Sequence, residues 1–177
     1  MKKFLVALGI LFIFFATTCL QVLADARWDN PKNIKTYIPE HPRKELMKQA
    51  FAVWTRAMSG KIVFRYVNSP EQADITVKFV KNVAKMTGRE SAIGLTYNNY
   101  YDNHMRSAEI LISDKTPGGS LLKKDGVYRV MIHEIGHALG RFGHSEDKDS
   151  VMYNAKVNMN ATLTPADIKY MNNLYGF

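Results

Sequence analysis

At 177 residues, with 46% hydrophobic and 23% charged side chains, the chain is long enough for one ordinary domain and too apolar to be disordered. Its single cysteine, Cys19, excludes a disulfide-stapled scaffold. The excess of 24 Lys+Arg over 16 Asp+Glu gives a net charge of +8, which favours anionic neighbours without naming one.

Met1-Lys2-Lys3 is a short basic head, and Phe4–Phe15 follows with twelve residues free of polar side chains. Polarity rises through Thr17, Thr18 and Gln21, and the segment closes on Ala24-Asp25-Ala26. That is the order of a secretory signal peptide: basic region, apolar core, small-x-small cleavage site. The expected cut follows Ala26, with the bond after Ala24 as the other candidate. Left uncleaved, the 21 residues from Phe4 to Ala24 would reach across a bilayer, so a membrane-anchored form is the alternative to a secreted one. Removing residues 1–26 takes away Lys2, Lys3 and Asp25. It leaves 22 basic and 15 acidic side chains over 151 residues, a net +7, and no cysteine. The expected organisation is an export signal over residues 1–26 and one domain over residues 27–177.

Asn33–Ile38 alternates polar and apolar side chains as a first strand would. Pro42 opens a helix whose Leu46, Ala50, Val53, Trp54 and Met58 share one face, and Gly60 ends it. Ile62–Val67 and Ile75–Val80 are β-branched and aromatic, and read as two further strands. Ala92–Tyr97 and Ala108–Ser113 are shorter strands, with the polar, tyrosine-rich Asn98–His104 expected as the loop between them. Pro117-Gly118-Gly119 punctuates the chain ahead of a helix over Val127–Leu139. Thr164 and Pro165 supply the cap and first turn of a last helix running to Leu174. Strands alternating with helices, then helices alone, define an α+β (mixed α/β) fold class.

Three of the five histidines fall between His133 and His144. Residues four apart on a helix lie one above the other, so His133 and His137 project from one face and can share a metal ion. Glu134 points beside that ion, able to reach a bound water without competing as a ligand. A working zinc site wants a third protein ligand and leaves its fourth position to water. Gly140 readily takes the left-handed conformation that ends a helix, which lets the chain return His144 toward the same ion. Zinc held by histidines lowers the pKa of its water to about 7. Glu134 would accept the proton as the water attacks a carbonyl and pass it to the leaving amine.

His133-Glu134-x-x-His137-x-x-Gly140 with His144, followed by Ser150-Val151-Met152-Tyr153, resembles the metzincin zinc endopeptidases, and the matrixins most. Ala50-Phe51-Ala52-Val53-Trp54, Ala73-Asp74-Ile75 and Leu163–Ile168 resemble the family's first helix, a strand start and the last helix. The resemblance thus extends over nearly all of residues 27–177. It implies a metzincin-like zincin domain: a twisted, mostly parallel five-stranded sheet with an antiparallel edge strand, two long helices and a C-terminal helix. It implies a secreted enzyme with one catalytic Zn2+ that hydrolyses peptide or protein substrates. Met152 would lie under the metal as support and not as a ligand. Matrixins commonly place the third histidine three residues after the glycine, where this chain has Gly143. The interval of four to His144 resembles a variant among bacterial matrixin-like proteins. Asp167 is the rival third ligand.

The strand containing Ile93, Gly94, Leu95, Thr96 and Tyr97 resembles the edge strand that takes a substrate in extended form. An unpaired edge offers N–H and C=O groups to an incoming strand, and an ordinary hairpin strand is the competing reading. Tyr97, Tyr100 and Tyr101 are candidates to line that cleft. Asp102 and His104 resemble two ligands of a structural zinc, but their partner histidines are missing and a surface loop is the simpler reading. Calcium has no supporting pattern, since Glu146, Asp147 and Asp149 read as a solvated acidic turn. Lys123, Lys124, Arg129 and Arg141 add positive charge that suits an anionic cell-surface polymer. No interleaving of aromatic and basic residues points to nucleic acid. A monomer is expected. The rival from another class is a secreted, non-catalytic module with a structural zinc that binds such a polymer.

Overall fold

The computed structural model describes residues 25–154 and 162–177. The expected export signal as far as Ala24, and residues 155–161, lie outside the described residues. No described helix is long and apolar enough to cross a membrane.

Five strands, β1 (Ile34–Tyr37), β2 (Phe64–Tyr66), β3 (Ile75–Val80), β4 (Gly94–Tyr101) and β5 (His104–Ser113), form one sheet in the order β2-β1-β3-β5-β4. β1 runs parallel to β2 and β3, and β3 runs parallel to β5. β4 alone is antiparallel, paired with β5 at the sheet edge. The helices are α1 (Lys44–Ala57), α2 (Val83–Thr87), α3 (Lys124–Ala138) and α4 (Pro165–Tyr175). This is the sheet and the set of long helices that the sequence implied, with one short helix added.

α1 buries Met47, Ala50, Phe51 and Trp54, spaced three or four apart along one face. Trp54 anchors it to the helix that carries the histidines: its indole Nε1 donates to the Ile132 carbonyl of α3 at 2.8 Å. β5 is buried on both faces. Ile110 and Ile112 join the main core with Trp54, Met131 and Ile135, while Leu111 joins Val83 and Leu95 in a smaller cluster on the other side. A strand covered twice needs no polar alternation, which explains the unbroken Ile110–Ile112 run.

The segment Asn98–His104 is not a loop. Asn98 to Tyr101 continue β4, and Tyr101 pairs with His104 across a two-residue turn at Asp102 and Asn103. Both turn residues have positive φ, 52° and 60°, as a tight hairpin requires and as Asp and Asn tolerate. The strand is polar because it lies at the edge. Its burial alternates, with Tyr97, Asn99 and Tyr101 exposed and Thr96, Asn98 and Tyr100 partly covered. The five-residue α2 was too short for periodicity to reveal. The Asn82 side chain caps it by accepting the Lys85 N–H at 3.0 Å.

The C-terminal end of α3 is held by four hydrogen bonds from three parts of the chain. Asn98 Nδ2 donates to the His137 carbonyl at 3.0 Å, Trp28 Nε1 to Ala138 at 2.9 Å and the Tyr175 hydroxyl to Leu139 at 2.8 Å. The Ala26 N–H donates to Gly140 at 3.2 Å. A helix end leaves carbonyls without partners, and here β4, α4 and the N-terminal segment all supply donors.

Candidate metal and catalytic site

His133 and His137 stand one turn apart on α3, and His144 returns from the loop after it. One ligand nitrogen from each lies within 4.8 Å of the others. The Nε2 atoms of His133 and His137 face each other at 3.0 Å. A tetrahedral zinc with bonds of about 2.0–2.1 Å needs ligand nitrogens about 3.3 Å apart, so the pair is set for one ion. Both rings are turned by their other nitrogens. His133 Nδ1 donates to the Val151 carbonyl and His137 Nδ1 to the Arg141 carbonyl, each at 2.7 Å. A ring whose Nδ1 holds the proton presents the Nε2 lone pair to a metal. Burial holds all three imidazoles below their ordinary pKa, His137 at about 3 with help from neighbouring His133. The rings are therefore neutral at pH 7, the form that binds metal. The donor set fits zinc.

The loop that brings His144 back is pinned along its length. Gly140 opens it at φ +97°, and a Cβ there would collide with the Ala26 carbonyl. The Phe142 N–H donates to the Asp25 carboxylate at 2.8 Å, and the Ser145 N–H to the Met152 carbonyl at 2.8 Å. Gly143 has open space around its Cβ position. The residue at the commoner third-ligand interval thus serves as a spacer, and His144 reaches the cluster.

Asp167 of α4 is not in this cluster. It is fully buried in a separate network, bonded to Arg141 Nη1 at 2.6 Å and to the Ser150 hydroxyl at 2.8 Å. It also completes a reciprocal capping box with Thr164. Ser150 in turn accepts the Met152 N–H at 2.9 Å. Arg141 and Val151, whose carbonyls orient the two helix histidines, are therefore tied to one carboxylate from the last helix. Met152 is fully buried beneath α3, so close to Gly136 that a Cβ there would collide with its sulfur.

Glu134 points into a cleft of about 890 Å³ between α3 and β4, lined also by His133, His137 and His144. Its carboxylate is buried, and burial pushes its pKa up to about 7 against the downward pull of the Thr96 hydrogen bond and of Arg89. The Thr96 hydroxyl lies 2.7 Å from Glu134 Oε2 and 3.0 Å from the Glu134 carbonyl. Gly94 lets the strand come this near. A Cβ there would sit 2.6 Å from Glu134 Cγ and Oε1 and from Val130 Cγ1.

The strand residues singled out in the sequence divide by the two-residue period. Gly94, Thr96, Asn98 and Tyr100 share the face toward α3, and Ile93 and Leu95 also reach the cleft. Tyr97 and Tyr101 point away and are 47% and 74% exposed. Asn98 escaped the sequence reading because its polar surroundings resembled a loop. His104 pairs with Asp29, and Asp102 sits at the hairpin turn. Among the described residues, the three-histidine group is the one metal-binding cluster found.

A sheet with an antiparallel edge strand laid along a helix bearing HExxH, with a methionine packed beneath it, defines the metzincin class. The chain belongs to the matrixin family, whose model, described as Matrixin, matches residues 28–176. It is 27% identical over 158 residues to an interstitial collagenase of Equus caballus, covering 85% of this chain and 33% of that protein. It is 48% identical over 50 residues to a matrilysin of Felis catus, covering 27% of this chain and 19% of that protein. The matches thus span about a third or less of these curated relatives. Two solved structures of myroilysin share the fold, with a TM-score of 0.55 each. They are 16% and 15% identical and cover 84% and 86% of this chain and 82% and 86% of theirs.

Proposed function

We propose that this chain is a secreted, zinc-dependent endopeptidase. His133, His137 and His144 would hold the metal. When bound, zinc supplies a Lewis acid that polarises the scissile carbonyl and acidifies water. Glu134 takes the proton of the attacking water and hands it to the departing amine. Thr96 fixes that carboxylate in place, and the free edge of β4 pairs with a substrate held in extended form. Met152 supports the histidine helix from below.

One observation carries this reading: a buried carboxylate stands beside the metal-binding pair, held by a hydroxyl, inside an open cleft. A purely structural metal needs no such base. Family membership and the relatives' names support peptide bonds as the substrate. The test is Glu134→Ala. Hydrolysis of a peptide library should fall by about 10²–10⁴-fold, the usual contribution of a general base, while zinc content stays that of the parent. A variant that cleaves at the parent rate sinks the assignment.

Export with a cut after Ala24 completes the proposal. Its support is that Asp25 and Ala26 are built into the loop that returns His144, through Phe142 and Gly140. A cut after Ala26 would discard both contacts.

A further inference from the structure

The two ends of the cleft differ in chemistry. β4 follows α3 in the same sense: Gly94 lies against Val130 and Glu134, Thr96 bonds Glu134, and Asn98 bonds the His137 carbonyl. The segment before Gly94 therefore lies toward the start of α3. There Arg129 stands one turn before His133 on the same helix face. Arg89, from the segment before β4, lines the cleft with it. Neither guanidinium takes part in any ion pair found among the described residues. Glu134 is the one carboxylate lining the cleft; it is hydrogen-bonded by Thr96 and feels the Arg89 charge without pairing with it. Glu90 and Asp125, the acidic residues nearest in sequence, do not line it. The opposite end is aromatic, with the Tyr100 and Phe142 rings 4.7 Å apart.

We infer that the site selects peptides bearing an acidic side chain on one side of the scissile bond, received by Arg89 and Arg129. The inference rests on the endopeptidase reading and adds the substrate class to it. A guanidinium presents a planar fork of donors matched to a carboxylate. Two of them at one end attract Glu or Asp and oppose Lys or Arg, which discriminates by attraction and repulsion together. The aromatic end has no such preference for charge and suits an apolar side chain.

The test uses fluorogenic peptides of one scaffold carrying Glu, Gln or Lys at successive positions on either side of the cleaved bond. With the zinc-loaded chain, kcat/KM should favour Glu over Lys by about tenfold, at positions on one side only. Arg89→Glu/Arg129→Glu should reverse that order, and Arg129→Lys should keep it. The zinc-loaded Glu134→Ala chain, assayed by fluorescence anisotropy, should bind the Glu peptides more tightly than the Lys peptides. Equal handling of Glu and Lys at every position, in cleavage and in binding, overturns the acidic preference and leaves the peptidase reading intact. Tighter binding of Glu peptides that the zinc-loaded parent never cleaves overturns the peptidase reading and leaves the acidic preference standing.

Discussion

At Gly94 the absence of a methyl group decides where Glu134 can stand. φ at Gly94 is not positive, so alanine is allowed by the backbone and only the contact is at issue. Gly94→Ala would bring Cβ within 2.6 Å of the Glu134 carboxylate and of Val130, so the carboxylate or the strand must move. A misplacement of about 1 Å costs on the order of 100-fold in rate. We expect kcat/KM to fall by at least about tenfold with zinc content unchanged. Parent-like kinetics would show that the strand does not position the base. His133, Glu134 and His137 were legible in the sequence because helical spacing alone puts them together. The Thr96–Glu134 bond was not, because it joins residues 38 apart through the pairing of a strand with a helix. Asn98 was hidden for a related reason, since an edge strand with one wet face looks like a loop.

Among the elements, α4 has a part that its sequence did not reveal. In the sequence Asp167 reads as a rival third ligand. In the fold it is the buried partner of Arg141, which lies 26 residues earlier, and of Ser150. No periodicity announces a pair of that kind. Asp167→Asn keeps the shape but leaves the Arg141 charge buried without its counterion, which costs about 3–5 kcal/mol. It also loosens the Arg141 and Val151 carbonyls that orient His137 and His133, and the loss of such supporting contacts costs about 10–100-fold in metal affinity. Denaturant unfolding of the metal-free chain and zinc titration should register both effects. A variant as stable as the parent, with the same zinc affinity, would leave the network without a role. The strands and the three long helices were legible because hydrophobic periodicity marks them, the mostly parallel sheet was what the family resemblance implied, and the strand order was not legible at all. The start of β5 at His104 and the whole of α2 rest on a turn and a cap instead.

For the molecule as a whole, the N-terminal segment is part of the site's foundation. Asp25 accepts from Phe142 and from the Tyr170 hydroxyl, so it joins the third-ligand loop to α4. Sequencing of the exported protein should find Asp25 at its N-terminus. A chain begun at Arg27 should be less stable by about 1–3 kcal/mol, because the Phe142 N–H loses its partner and the Gly140 carbonyl its donor. An exported chain that begins at Arg27, equally stable, would contradict this account. The sequence favours a cut after Ala26 with Ala24 as the other candidate, since both are small; the contacts that favour Ala24 join residues more than a hundred positions apart, which no local pattern announces. The central claim, that a metal held by His133, His137 and His144 is required for peptide hydrolysis, is tested most directly by chelation and zinc add-back. Cleavage of casein should stop on chelation and return in proportion to added zinc, reaching its plateau at one ion per chain. His144→Ala should need far more zinc to respond. Cleavage that persists in the metal-free chain, or that is absent from a chain holding one zinc, would contradict the account.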